Sequence, residues 1–272
     1  MMPFAEATWR TLPAVVGAVA ALFPDPVVHL GGDEVQGACW TEDAAVRREM
    51  DRRQLRSVHD VEAHFERRLE RDVIGALRAG GKRVARWQDI WFHEASERTT
   101  SVVQFWQAYS ADVARRMNEQ LARGAGAVRM VASGGWYLDA DCLSWERAYA
   151  ADPAHAYGVQ PAVRAHVDGV EACVWETQHE QYDTENVWLR LVALAERAWS
   201  GRRGAPHGWR RRLAQACARA ARLRVFPAAM CDLDAWRPPR TNIKQTEPHR
   251  AWIKVYTGEV CENHRLRAAQ RS

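Results

Sequence analysis

The chain has 272 residues, 47% hydrophobic and 26% charged, with a formal net charge of +4, a balance that suits a soluble globular protein with a sizeable core. Only three of its 38 basic residues are lysines (Lys82, Lys244, Lys254), and its 13 tryptophans outnumber the six Phe and six Tyr together. The arginines are scattered among acids, as in Glu66-Arg67-Arg68-Leu69-Glu70-Arg71, which predicts solvated helix faces and argues against a nucleic-acid surface.

In chain order, residues 12–23 (LPAVVGAVAALF) form an apolar run of signal-peptide length. Glu6 and a single Arg10 precede it in place of a basic stretch, and it runs on through Phe23-Pro24-Asp25-Pro26, so it predicts a core helix. No apolar run is long enough to span a bilayer. As written, without a clear signal peptide, the chain is expected in the cytosol. Residues 27–30 form a short β-branched run that ends in Gly31-Gly32. Val58, Val61, Phe65, Leu69, Val73 and Leu77 recur at helical spacing until Gly80-Gly81 stops them. Residues 83–87, 101–106 and 128–132 follow as strands, with a helix over 113–121 before the last. Residues 169–175 (GVEACVW) make a fifth strand, and helices over 187–199 and 209–225 close the series. Five strands alternating with helices predict a parallel α/β architecture over residues 1–236. Beyond Arg237-Pro238-Pro239-Arg240 the periodicity fades, so residues 237–272 are expected to be a polar, basic extension. Six cysteines (39, 142, 173, 217, 231 and 261) include no C-x-x-C pair, and their even count leaves the redox compartment open.

Each strand ends in residues suited to chemistry or to sugar contact. The first ends in Asp33-Glu34, the second in Trp87, the third in Trp106, the fourth in Trp136-Tyr137-Leu138-Asp139 and the fifth in Trp175-Glu176. Acids and aromatics gathered at strand C-termini predict a (β/α) barrel active site. Two carboxylates after a Gly-Gly turn can face one cavity, and like charges at close range raise one pKa. The result is a proton donor beside an anion, the division of labour that glycoside cleavage needs. Taken alone, Asp33 and Glu34 would equally serve to cap a following helix, and His29, Asp33 and Glu34 together leave a metal site open. Indoles cover the C–H face of a sugar ring, so Trp87, Trp106 and Trp175 suit a sugar pocket as well as a core.

The run Phe23-Pro24-Asp25 followed by His29-Leu30-Gly31-Gly32-Asp33-Glu34-Val35 resembles the signature of glycoside hydrolase family 20, in particular the lysosomal β-hexosaminidase subunits. Further matching blocks follow in order: Cys39-Trp40, Trp87-Gln88-Asp89, Val103-Gln104-Phe105-Trp106, Trp136-Tyr137-Leu138, residues 169–175, and Ala195-Glu196-Arg197-Ala198-Trp199. The resemblance implies a partial TIM (β/α)8 barrel, strands 4–8 with their helices, the first three strands being absent. It implies a β-N-acetylhexosaminidase acting on terminal N-acetylglucosamine or N-acetylgalactosamine by substrate-assisted retaining catalysis, an exception to the two-carboxylate scheme.

In that scheme Glu34 is the acid and then the base, and Asp33 orients the 2-acetamido group. Tyr137 bonds the acetamido oxygen, Trp87, Trp106 and Trp175 wall the pocket, and Asp139 and Glu176 bind outer hydroxyls. Glu176 follows Trp175 directly where relatives carry one intervening residue, which puts its contact in doubt. No metal or organic cofactor is implied. The resemblance also implies a Cys217–Cys231 disulfide, an unpaired Cys39, a homo- or heterodimer with a hexosaminidase subunit, and a lysosomal or secreted location. Five strands cannot close an eight-stranded barrel and leave open edges. A truncated, inactive relic that binds carbohydrate or a hexosaminidase subunit is the alternative expectation.

Overall fold

A computed structural model describes residues 1–92, 100–106, 111–123, 128–134, 136–138, 144–150, 165–174, 184–200, 208–224 and 231–234. Five parallel strands follow one another in the order β1 (Val27–His29), β2 (Arg83–Trp87), β3 (Val102–Phe105), β4 (Arg129–Ala132) and β5 (Val167–Val170). Sequential parallel order with helical crossovers is the topology of a TIM-barrel segment, as expected. The chain divides into two compact units, residues 1–105 with 119–130, and residues 106–118 with 131–272.

In the first unit, α1 (Glu6–Leu22) carries the apolar run and lays Trp9 and Ala20 into the core. Trp9 donates its indole N–H to the Pro3 carbonyl at 2.8 Å, which satisfies its one buried polar atom. Two short helices that the apolar pattern did not reveal, α2 (Ala38–Glu42) and α3 (Ala44–Arg53), follow β1. The second is nucleated by the Asp43 carboxylate, which accepts from the amides of Ala45 and Val46.

The long helix begins with a reciprocal cap. Ser57 Oγ accepts from the Asp60 amide at 3.1 Å, and the Asp60 carboxylate accepts from the Ser57 amide at 2.9 Å. It continues as α4 (Val58–Leu69), a π-helical turn (Glu70–Ile74) and α5 (Gly75–Ala79), and it stops at Gly80 and Gly81. Leu69, Val73, Ile74 and Leu77 pack with Trp9, Ala20 and Val84. A second cluster joins Trp40, Val46, Met50 and Val61.

The β1–β2 ladder pairs Val27 with Arg83, Val28 with Val84 and His29 with Ala85. The β2–β3 ladder then runs from Ala85–Val102 to Trp87–Gln104. Side chains alternate faces along a strand, so Val84 and Arg86 point toward the helices while Ala85 and Trp87 point the other way. α6 (Gln88–Trp91) starts directly after Trp87.

In the second unit, α8 (Trp145–Ala150), α9 (Thr184–Ser200) and α10 (Trp209–Arg222) surround a core of Trp145, Tyr149, Leu189, Ala193, Leu213 and Cys217. Helix α7 (Ala111–Ala122) is divided between the two units. Tyr149 stacks on Trp209 with ring centroids 4.5 Å apart. The fifth strand begins at Val167, two residues before its expected start, and its regular ladder ends at Val170. Pairing continues beyond it: the Glu171 amide donates to the Ala132 carbonyl, the Cys173 amide donates to the Trp136 carbonyl, the Leu138 amide donates to the Cys173 carbonyl, and Tyr137 bridges Cys173 in parallel. Glu171 breaks the apolar run with its charge but keeps its place in the ladder through its amide, so the backbone pairing outlasts the regular strand.

Cys217 and Cys231 are joined in a disulfide, and Cys39 is free and exposed. Residues 237–272 lie outside the described residues. The described helices include none long and apolar enough to cross a membrane.

The disulfide ties α10 to a segment 14 residues further on. Closing a loop of that length is expected to stabilise the fold by about 3 kcal/mol. Replacing both cysteines by serine should therefore lower the thermal midpoint by several degrees in a calorimetric scan; an unchanged midpoint would remove the bond from the list of stabilising features.

Candidate active site

Past His29 the chain turns sharply. Gly31 has φ +68°, Gly32 φ +103° and Glu34 φ +43°. Left-handed backbone is ordinary for glycine but uncommon for glutamate, so Glu34 is held in a conformation its neighbours must enforce. Gly32 admits no side chain, because a Cβ there would lie 2.8 Å from Arg86 Nη2 and 2.9 Å from Ile90 Cγ2.

The Gly31 peptide units on either side are fixed by three bonds. The Gly31 amide donates to His29 Nδ1 at 3.0 Å. The Gly31 carbonyl accepts from the Trp87 amide at 3.2 Å and from Arg86 Nε at 3.1 Å. Accepting at Nδ1 keeps His29 neutral at that nitrogen. Burial and the neighbouring Arg86 charge hold the imidazole below its usual pKa, against the opposing hydrogen bond with Gln104 and the Asp33 charge.

Glu34 carries the electrostatic signature expected of the pair. Partial burial first, then the charges of Asp33 and Asp89, push its carboxyl above the usual carboxylate range. Trp87 is half-buried beside the turn, edge-on to the His29 ring at 4.9 Å between centroids. Asp33, Glu34 and Trp87 therefore share one strand-end cluster, to which the structure adds Asp89 and His29. A carboxyl that holds its proton more tightly than usual, beside a second carboxylate and an indole, is suited to proton transfer at a bond placed against that indole.

Trp106 and Tyr137 belong to the second unit, and both are buried. Asp139, Trp175 and Glu176 lie outside the described residues. Among the described residues no group of three His, Cys, Asp or Glu side chains is placed to hold a metal ion.

One expectation is corrected. Glu66, in the arginine-rich run assigned to a solvated face, is only 5% exposed. It points inward to Arg86 Nη2 at 2.8 Å, and Arg86 itself is 1% exposed. The signal was a charge in the middle of the apolar strand Arg83-Val84-Ala85-Arg86-Trp87, where a side chain facing helices should be apolar.

The family model "Glycosyl hydrolase family 20, catalytic domain" matches residues 1–202. The chain belongs to glycosyl hydrolase family 20. It is 28% identical over 204 residues to the β-hexosaminidase subunit alpha of Rattus norvegicus, covering 73% of this chain and 37% of that protein. It is 25% identical over 205 residues to the human β-hexosaminidase subunit beta, covering 74% and 35%. The chain thus spans about a third of the length of these family 20 relatives.

Among solved structures it is similar to the family 20 chitobiase of Flavobacterium johnsoniae, with a TM-score of 0.60, 22% identity, and 86% of this chain and 34% of that one covered. It is also similar to the family 20 exo-β-N-acetylglucosaminidase of Vibrio harveyi, with a TM-score of 0.60, 21% identity, and 88% and 37% covered. These two likenesses concern the fold alone.

Two substitutions test the turn. Gly32→Ala, which forces a Cβ against Arg86 and Ile90, is expected to cost about 2 kcal/mol of stability in chemical denaturation. Asp33→Asn removes a negative neighbour and should lower the Glu34 titration midpoint, read by carboxyl 13C NMR. A midpoint that stays or rises would contradict the charge coupling.

Proposed function

We propose that the chain supplies the acid/base half of a β-N-acetylhexosaminidase that removes terminal, non-reducing N-acetylglucosamine or N-acetylgalactosamine from glycoconjugates. The observation that carries this reading is Glu34, its carboxyl pushed upward beside Asp33 on a strained turn next to Trp87. Its relatives' names, β-hexosaminidase subunits, support the same reading.

In the proposed reaction Glu34, protonated at the start, gives its proton to the glycosidic oxygen as the bond to the anomeric carbon breaks. The substrate's own acetamido oxygen attacks that carbon from the opposite side and forms an oxazolinium ring. Asp33 orients the acetamido group and offsets the positive charge that develops on it. Tyr137 donates to the acetamido oxygen, and Trp87, Trp106 and Trp175 enclose the sugar. Asp139 and Glu176 bind its outer hydroxyls. Glu34, now ionised, takes a proton from water, which opens the ring with retention. Pairing with a second hexosaminidase subunit and a lysosomal or secreted destination belong to the same proposal.

Hydrolysis of a chromogenic N-acetyl-β-glucosaminide by the purified chain is the direct test. Glu34→Gln should lower kcat by about 10²- to 10⁴-fold. A matching β-glucoside, which lacks the acetamido nucleophile, should not turn over. Turnover that survives Glu34→Gln would overturn the acid/base role, and rapid hydrolysis of the plain glucoside would overturn substrate assistance.

A further inference from the structure

Arg86 and Glu66 form a buried ion pair on the helix side of the sheet, directly beneath the turn that carries the acid pair. Such a pair is a poor source of stability, because removing two charges from water consumes most of what their attraction returns. Its geometry is more informative than its energy. Of the three guanidinium nitrogens, Nη2 is bound to Glu66 Oε1 at 2.8 Å and Nε donates to the Gly31 carbonyl at 3.1 Å. Nη1 is buried with no hydrogen-bond partner among the described residues. Of its two bonds, the one not used for the ion pair is therefore spent on the backbone of the catalytic turn.

The other contacts converge on the same peptide. The Trp87 amide reaches the same carbonyl, His29 Nδ1 takes the amide of the same residue, and Gly32 is packed so closely on Arg86 Nη2 that only a hydrogen fits. Glu66 fixes the guanidinium from α4, where it lies one turn before Leu69 on the buried face of the helix.

We infer that Arg86 is a positioning residue: held by Glu66, it anchors the Gly31 carbonyl and so sets where the Asp33 and Glu34 carboxyls stand. The inference rests on the hexosaminidase reading for its kinetic consequence, but the anchor can also be read without turnover. Glu34 has no bond of its own to Arg86; the guanidinium acts on it through three residues of backbone. Losing the anchor lets the turn relax, which moves Glu34 away from Asp89 and lessens the desolvation that raises its midpoint.

The test is the double variant Arg86→Met/Glu66→Leu in the full chain. Replacing a buried ion pair by apolar side chains of similar volume often leaves stability equal or higher. The thermal midpoint is therefore expected to match or exceed that of the parent. Against the chromogenic N-acetyl-β-glucosaminide, kcat is expected to fall by about 10- to 100-fold with KM changed by less than about threefold, the pattern of lost alignment rather than lost binding. In 13C NMR the Glu34 midpoint should fall toward the ordinary glutamate range. Arg86→Lys is the second variant: it keeps the charge opposite Glu66 but lacks the forked donor for Gly31, and it should show the same loss of kcat and the same fall in midpoint. A folded variant of either kind with parental kcat and an unmoved Glu34 midpoint would overturn the inference. If the parent chain alone shows no turnover, the Glu34 titration decides the anchor by itself, and an unmoved midpoint in the folded variants overturns it.

Discussion

The candidate site hangs from the parallel ladder between Val27–His29 and Arg83–Trp87. Parallel pairing brings both strands to their C-terminal ends on the same edge, so the turn after β1 and the indole at the end of β2 meet without any dedicated loop. The ladder's last bonds extend past the strand into chemistry. After Leu30 donates to the Ala85 carbonyl at 3.0 Å, the next rung is Trp87 donating to Gly31 at 3.2 Å. Backbone that would otherwise continue a sheet is diverted by two glycines into a left-handed turn, and the acids emerge from it.

Strain in that turn is balanced from both faces of the sheet. His29 and Trp87 meet it on one side, Arg86 on the other. The left-handed Glu34 is tolerable only because so many independent bonds determine the peptide two and three residues before it. Electrostatics and conformation act in the same direction here: the geometry that strains the backbone also holds Glu34 near Asp89, whose charge adds to that of the adjacent Asp33.

Much of this was legible in the sequence, and the exceptions have physical causes. β2 was found to the residue because Val84 and Ala85 lie between turn-forming glycines and an aromatic strand end. The sharp turn before Asp33 and Glu34 was legible because Gly31-Gly32 follow a β-branched run, and both glycines take left-handed backbone. Helices α2 and α3 were missed because five- and ten-residue helices near the surface show no long apolar period; the local signal was Asp43 two and three residues before the amides it caps. The early start of β5 was missed because Asp168 interrupts the apolar run without interrupting the ladder. Glu66 was assigned to solvent because its neighbours Arg67 and Arg71 are in fact exposed, and only the charge on the facing strand tells them apart.

The π-helical turn over Glu70–Ile74 reconciles two incompatible rhythms. Phe65, Leu69, Val73 and Leu77 recur every four residues and pack against one cluster. A regular α-helix advances 3.6 residues per turn, so a strict four-residue repeat drifts by roughly 40° at each step and roughly 120° by Leu77. The wider turn absorbs that drift, much as a leap day returns a calendar to the season. It marks the place where one residue has been accommodated by the helix without moving either end off the core. Glu66 and Leu69 precede this phase correction and Leu77 follows it, so the ion pair under the acid turn shares its register with the near half of the core, while the far half is brought back to the same cluster by the wider turn.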